Sequence, residues 1–277
     1  MTLRISWSGL RTHEECKQKG YLTRTGKKAP LENTRNYFPG NVTDRVVREF
    51  LNERSHERGV MPQMVETIME RERQKILEGD PEKGVPPGVM RWKDSQDRER
   101  VLRDCIEAVT KIEPLLLKYV IPYEFQPDFR FQAPVTIPHP DGGMETVLLI
   151  GFMDIIVRDD KGRWWVWDVK HTRDESYWRK TIGQLGFYDL AVELMFGQPT
   201  IRTGLLQPLC KRPTVPYAPS PESRAQLMTR IVGMANDIWR DDKTPRKDTS
   251  LCGYCPVKHA CSKFQPVLVN GQRRITL

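Results

Sequence analysis

Apolar residues return at helical spacing through the first half of the chain. Val42, Val46, Val47, Phe50 and Leu51 mark a helix that begins after Phe38-Pro39-Gly40 and ends near Asn52. A second, charge-rich helical stretch covers 60–78. Turn-forming residues from Gly79-Asp80-Pro81 to Pro86-Pro87-Gly88 then predict a loop. A longer helix follows over 95–119, with Val101, Leu102, Cys105, Ile106, Val109 and Ile112 on one face. The period then shortens. Phe125, Phe129, Phe131, Val135 and Ile137 predict extended chain over 123–138, closed by the turn signal Pro138-His139-Pro140-Asp141-Gly142-Gly143. Two β-branched apolar runs, 146–158 and 163–169, flank Asp159-Asp160-Lys161-Gly162 and predict a hairpin. Residues 176–196 read as a helix, 200–210 as a strand, and 220–241 as an amphipathic helix with Leu227, Ile231, Met234 and Ile238 inward. Residues 1–38 show no sustained period, and no internal repeat or low-complexity tract interrupts the chain. This order predicts a mixed α/β core with a helical N-terminal addition.

Composition narrows the setting more than the chemistry. The 277 residues suffice for a substantial core. No apolar run approaches the ~20 residues of a membrane helix, and the first twenty residues lack the apolar segment of a signal peptide. A cytoplasmic protein with reduced thiols is expected. The balance of 44 Lys+Arg against 36 Asp+Glu, a net +8, weakly favours a polyanionic partner.

Two carboxylates stand out because they lie in strands otherwise built for burial: Asp154 in LLIGFMDIIV and Asp168 in WWVWDVK. A buried carboxylate is costly unless it is paired, hydrogen-bonded or bound to metal. A turn at Asp160-Lys161 sets Asp154 and Asp168 near matching positions, and Lys170, two residues on, shares the face of Asp168. Two carboxylates and a lysine suit hydrolysis of a phosphodiester assisted by Mg²⁺ or Mn²⁺. On the following helix Lys180, Gln184 and Tyr188 recur at i, i+4 and i+8, which places them on one face.

The cysteines are uneven. Cys252, Cys255 and Cys261 fall within ten positions, while Cys16, Cys105 and Cys210 are scattered. Three thiolates leave a tetrahedral site one ligand short. His259 could complete a local zinc site, or Cys16 could close the set from the other end of the chain. Cys105 and Cys210 lie in apolar patterns and read as core residues.

Taken in order, Asp154, Asp168-Val169-Lys170 and Gln184-x-x-x-Tyr188 resemble the PD-(D/E)xK nuclease superfamily, and more narrowly its RecB-like and Cas4-like exonuclease branch. The resemblance implies a restriction-endonuclease-like core, a mixed central sheet flanked by helices, in one domain. That domain divides into an arm over 1–38 with Cys16, a helical region over 39–120, a catalytic core over 121–210, and a C-terminal helix and cysteine cluster over 211–277. It implies metal ligation by Asp154, Asp168 and the backbone carbonyl of Val169, with catalysis by these acids, Lys170, Gln184 and Tyr188. The family often carries a histidine four residues after a glycine in an N-terminal helix. Here Asp44 follows Gly40 at that spacing, and the other reading of Asp44 is an exposed acid in the first helical turn. A family glutamate before the first core strand has two candidates, Glu124 and Gln132. Ser6-Trp7-Ser8-Gly9-Leu10 before Cys16 also resembles the branch. There Cys16, Cys252, Cys255 and Cys261 would hold a [4Fe–4S] cluster, with zinc the less favoured metal. The implied substrate is DNA, including single-stranded ends, and Trp178, Arg179 and Lys180 are candidates to meet it. Trp164, Trp165 and Trp167 read as core packing. No P-loop, dinucleotide fingerprint or nucleophile elbow is present. A non-catalytic nucleic-acid-binding module is the alternative function. A processing subunit active only in a larger DNA-processing complex is another, and a homo-oligomer is compatible with each.

Overall fold

The computed structural model describes residues 2–27, 35–53, 57–79, 87–247, 250 and 252–264, and the backbone of 267–269 and 272–274. Most of the turn-rich stretch after Gly79 lies outside the described residues. Contacts divide the chain into two compact units. A terminal unit gathers Met1–Pro30, Gln132–Gly151 and Pro221–Leu277, and a central unit gathers Leu31–Phe131 and Phe152–Ser220.

The central unit holds α3 (Phe38–Asn52), α4 (Val60–Glu78), α5 (Asp97–Tyr119) and α6 (Trp178–Phe196). Its strands are β4 (Trp164–Val169), β5 (Arg202–Leu206), β6 (Thr214–Tyr217), and parts of β2 (Glu124–Pro138) and β3 (Met144–Arg158). The sheet is mixed: β3 and β4 are antiparallel, β4 and β5 parallel, and β5 and β6 antiparallel. The stripes predicted from periodicity become the core. Phe38, Val42, Val46 and Phe50 of α3, and Val101, Cys105, Val109 and Ile112 of α5, join one apolar cluster with Ile155, Val157, Trp167 and Leu206 of the strands. Gly204 is required there, because a Cβ would fall 2.6 Å from the Trp167 ring. Mixed sheet and flanking helices match the expected fold class. The sequence did not predict β6; its Pro216 is tolerable only on an edge strand, which is where β6 lies. The strand predicted over 200–210 ends at Leu206, two residues short of Pro208.

The terminal unit begins with β1 (Arg4–Ile5), which runs parallel to β3 with Arg4 opposite Leu148. Two short helices follow, α1 (Trp7–Glu15) and α2 (Lys17–Arg24), where the sequence showed no period. Their inward positions include His13 and Gln18 as well as Leu10 and Leu22, so polar side chains mask the apolar rhythm. Ser6 caps α1 by accepting from the Gly9 amide at 3.1 Å. Gly20 lets the two helices approach, since a Cβ would stand 2.9 Å from the His13 backbone. The long helix α7 (Pro221–Trp239) is tied to α1 by Arg230, which donates twice to Glu14 at 2.6 and 2.8 Å. Of the cysteine trio, Cys252 opens the first of three single-turn 3₁₀ helices, Cys252–Tyr254, Lys258–Ala260 and Ser262–Phe264, and Cys255 and Cys261 lie in the links between them. A backbone hairpin, β7 (Val267–Val269) and β8 (Gln272–Arg274), follows them. No described helix is long and apolar enough to cross a membrane.

Candidate active site

The register of β3 against β4 sets Ile155 opposite Trp167, so one step further Asp154 faces Asp168. Alternation then turns Lys170 to the face of Asp168, and its Nζ lies 2.5 Å from Asp168 Oδ2. Asp168 is fully buried. Its other oxygen accepts from Gln184 Nε2 at 3.2 Å, and the same amide donates to the Tyr188 hydroxyl at 2.6 Å. Gln184 and Tyr188 are one helical turn apart on α6, which explains why one amide group reaches both partners. Asp154 Oδ2 accepts from the Val169 amide at 2.7 Å. This bond locks the carboxylate to the strand carrying Asp168. In extended chain the Val169 carbonyl points to the same edge as its N–H, opposite the Lys170 amide that donates to Leu206.

Asp44 joins from α3. Arg48, one turn later, donates to Asp44 at 2.8 Å and pairs with Asp128 at 2.8 Å. Asp128 was not singled out from the sequence. It sits on β2 in the left-handed region (φ 51°), a conformation Asp tolerates better than most residues. Beside Asp44, the Thr43 hydroxyl and His171 Nδ1 stand 2.9 Å apart, a link between α3 and the residue after Lys170. Of the two glutamate-position candidates, Glu124 is exposed near Arg158 and Gln132 is exposed.

The electrostatics are those of crowded acids. Burial, then the charge of Asp168, pushes the Asp154 carboxyl up to about 7. Burial, then Asp154, pushes Asp44 up to about 6, against the pull of Arg48. Burial raises Asp168 too, with Asp44 adding to it and Lys170 opposing. Burial disfavours the Lys170 charge, yet Asp168 and Asp154 outweigh it and hold its pKa above the ordinary value. Each acid thus destabilises the charge on another, and Lys170 is a cation among them. A set of three mutually repelling carboxylates fits a hard divalent cation, which takes oxygen ligands. Among the described residues, no three His, Cys, Asp or Glu side chains stand in a ready-made metal-holding group, so the fit rests on donor chemistry.

The remaining strand-contact candidates are placed otherwise. Lys180 lies over the Tyr177 ring and reaches back to Asp174 at 3.2 Å instead of joining Gln184 and Tyr188. It sits in the first turn of α6, where the acid preceding the helix is within reach of a long side chain. Arg179 covers the Trp178 ring. Trp164 stacks on Phe196, with centroids 4.1 Å apart.

In the terminal unit, Cys16, Cys252, Cys255 and Cys261 all line one cavity of about 220 Å³, together with Lys19, Arg246, Lys258 and Lys263. Cys16 Sγ accepts from the Lys19 amide at 3.5 Å as the cap of α2, and from the Arg246 amide at 3.4 Å. Cys261 Sγ donates to Gln18 Oε1 at 3.0 Å. Burial raises the Cys261 thiol, and the other three cysteines add to the shift, so the four sulfurs act on one site. Four sulfurs with backbone donors and a basic rim fit a thiolate-ligated metal or cluster. Cys105 and Cys210 are buried in the central unit and do not line this cavity. Cys105 is pushed up to about 12 by desolvation, and Cys210 bonds to the Thr172 carbonyl at 3.3 Å.

The family profile described as the PD-(D/E)XK nuclease superfamily matches residues 4–262. No curated protein matches the chain. Among solved structures, a candidate exonuclease from Eubacterium rectale is 12% identical over 95% of this chain and 90% of its own, with a TM-score of 0.49. The protein SSO0001 is 17% identical over 60% of this chain and 70% of its own, with a TM-score of 0.34. At these values neither likeness adds to the argument. The profile spans every element that brings the carboxylates and Lys170 together: the chain belongs to the PD-(D/E)XK nuclease superfamily.

Proposed function

We propose that the chain is a metal-dependent DNA exonuclease of the RecB-like and Cas4-like branch, with a structural [4Fe–4S] cluster in its terminal unit. The observation that carries the nuclease chemistry is Asp154 set opposite the fully buried Asp168, with Lys170 in contact and Asp44 near. Asp44, Asp154, Asp168 and the Val169 carbonyl would hold Mg²⁺ or Mn²⁺, which when bound neutralises the phosphate and acidifies a water. Lys170 positions the attacking water and offsets the charge that develops on the phosphoryl oxygens. Gln184, by donating to Asp168 and Tyr188 at once, fixes the rotamer of the acid and is a positioning residue. Tyr188 fixes Gln184 in turn. Trp178, Arg179 and Lys180 at the start of α6 meet the incoming strand, and the basic surface holds its backbone without regard to sequence, so binding weakens steeply with salt.

Cys16, Cys252, Cys255 and Cys261 would hold the cluster, supported by their shared cavity and by the two amides aimed at Cys16. The test of the chemistry is digestion of linear DNA with Mg²⁺ or Mn²⁺, beside a covalently closed circle that offers no end. Linear DNA should be lost and the circle spared. Asp168→Ala and Lys170→Ala should abolish digestion while circular dichroism stays unchanged; undiminished digestion by either variant removes the assignment. The test of the cluster is anaerobic purification with iron, sulfide and visible absorption measured. A colourless protein with one zinc per chain refutes it.

A further inference from the structure

Helix α6 has a second face. Gln184 and Tyr188 turn to Asp168, whereas Trp178, Ile182 and Leu185 form a separate stripe at i, i+4 and i+7. That stripe borders a cavity of about 460 Å³, closed on the other side by residues of β5 and β6. Leu185, Leu205 and Gln207 are its most buried lining residues, with Gln207 1% exposed. Trp178 and Tyr217 contribute aromatic surface, and Arg212 is an exposed guanidinium among the lining residues.

Gln207 is the unusual part. Its Nε2 donates to the Arg212 carbonyl at 3.1 Å, while its Oε1 is buried without a hydrogen-bond partner. A carbonyl can only accept, so the Arg212 contact fixes which end of the amide is free. The free end is therefore an acceptor, and a buried acceptor left unpaired destabilises the fold until something donates to it. Such a group favours a ligand that brings an N–H. The cavity also adjoins the reacting centre in the ladder. Val169 pairs with Leu206, and the Lys170 amide donates to the Leu206 carbonyl at 2.8 Å, so Gln207 follows beside Lys170.

We infer that this cavity receives one unstacked base of the strand being cut, resting on the proposed nuclease function. The base stacks on Trp178 and donates an amino or imino N–H from its Watson–Crick edge to Gln207 Oε1, while Arg212 meets the adjoining phosphate. Because that edge is occupied in a duplex, the pocket takes unpaired bases, and the substrate class is a single-stranded or frayed DNA end.

The test is fluorescence anisotropy in EDTA, which prevents cleavage, with short single-stranded oligonucleotides carrying one abasic residue at successive positions. Wild-type protein should lose about tenfold in affinity at one position only, the scale of one stacked base. Trp178→Ala and Gln207→Leu should bind the intact oligonucleotide about tenfold more weakly and lose that positional dependence. A flat scan with wild-type protein overturns the inference, and because it uses no variant, a misfolded Gln207→Leu cannot mask the result. A positional loss that both variants retain overturns it as well, as does equal affinity for a blunt duplex. The same preparation is assayed for metal-dependent DNA digestion. Digestion with a flat scan removes the base pocket alone, whereas a protein that neither binds nor digests DNA removes the proposed function and this inference with it.

Discussion

The carboxylate centre and the cysteine cavity are built by opposite means. The first stands on regular elements: the β3–β4 register sets Asp154 against Asp168, and one turn of α6 sets Gln184 against Tyr188. Its scaffold is a large apolar cluster from three helices and the sheet. The second stands on a helix cap and single-turn 3₁₀ helices, over a small apolar cluster of Leu22, Val257 and Cys261. In the first, the protein holds the site together despite its charges. In the second, three short turns meet two short helices through that small cluster, the Gln18 amide that donates to Ser262 Oγ at 2.7 Å, and the sulfurs. Loss of a side chain should therefore remove chemistry from the one and structure from the other.

The largest effect should come from Asp168→Ala. It is expected to lower kcat/KM by about a thousandfold or more, since it removes a proposed metal ligand and the partner of Gln184 and Lys170. Thermal stability should hold or rise, because a repelling buried acid has gone. A Tm drop comparable to a core cavity would mean that the acid serves the fold instead. Cys252→Ser sharpens the other half. On the proposed cluster ligation, iron should be lost and the terminal unit should loosen by about 3 kcal/mol or more, because metal binding and local folding are one process where thiolates hold a metal. Hydrogen exchange should rise across 2–27 and 252–264 and stay unchanged across α5. Uniform protection in both units would break the contrast.

The two sites also differ in how far the sequence disclosed them. Apolar periodicity gave α3, α5 and the hairpin strands, because there side-chain burial and secondary-structure period coincide. Once the hairpin was placed, Asp154, Asp168 and Lys170 followed from the alternation of β-strand side chains. The Arg48 bridge between Asp44 and Asp128 did not, since it joins residues far apart and depends on a left-handed backbone at Asp128 that no pattern announces. Helices α1 and α2 were hidden by the buried polar side chains of His13 and Gln18. Spacing disclosed the cysteine trio, but Cys16 as the fourth came from family resemblance, because α2 capping leaves no mark in composition.

Within the central unit, Asp97 is a buried acid held by the fold, unlike the acids proposed for catalysis. Asp97 is as buried as Asp168. Yet it accepts two bonds from Arg35 at 2.6 and 2.7 Å, one from the Lys93 amide at 2.9 Å and one from Arg100 at 3.2 Å. Those donors, Arg35 first, hold its pKa well below the usual carboxylate range. A depressed carboxylate stabilises the fold above its unfolded pKa, and that stability is lost as pH falls toward the folded value. Asp97→Asn should cost about 3 kcal/mol at neutral pH, because a neutral amide replaces the charge that Arg35 pairs with and turns N–H groups toward its donors. The cost should shrink as the solution is acidified below ~pH 4, where Asp97 loses its advantage. Urea unfolding at pH 7 and pH 3 checks both statements, and an equal cost at the two values would contradict them.

Asp154 should give the opposite sign and the smallest effect. Its folded pKa, pushed up to about 7, lies above the unfolded value near ~4. Between these the native state binds more protons than the unfolded chain, so in metal-free protein stability falls as pH rises through that window. Asp154→Asn removes this slope. Unfolding in EDTA should find the variant indistinguishable from wild type at pH 4 and more stable by about 2 kcal/mol at pH 8. That is less than the full shift would give, because Asp154 is only half-buried. Adding Mn²⁺ at pH 8 should raise the Tm of wild type and not that of Asp154→Asn, since the repulsion that the cation relieves is already gone. A variant that is less stable than wild type at pH 8 would show that the bond to the Val169 amide outweighs the crowding of charge. The carboxylate centre would then be held together by its own contacts, as the cysteine cavity is.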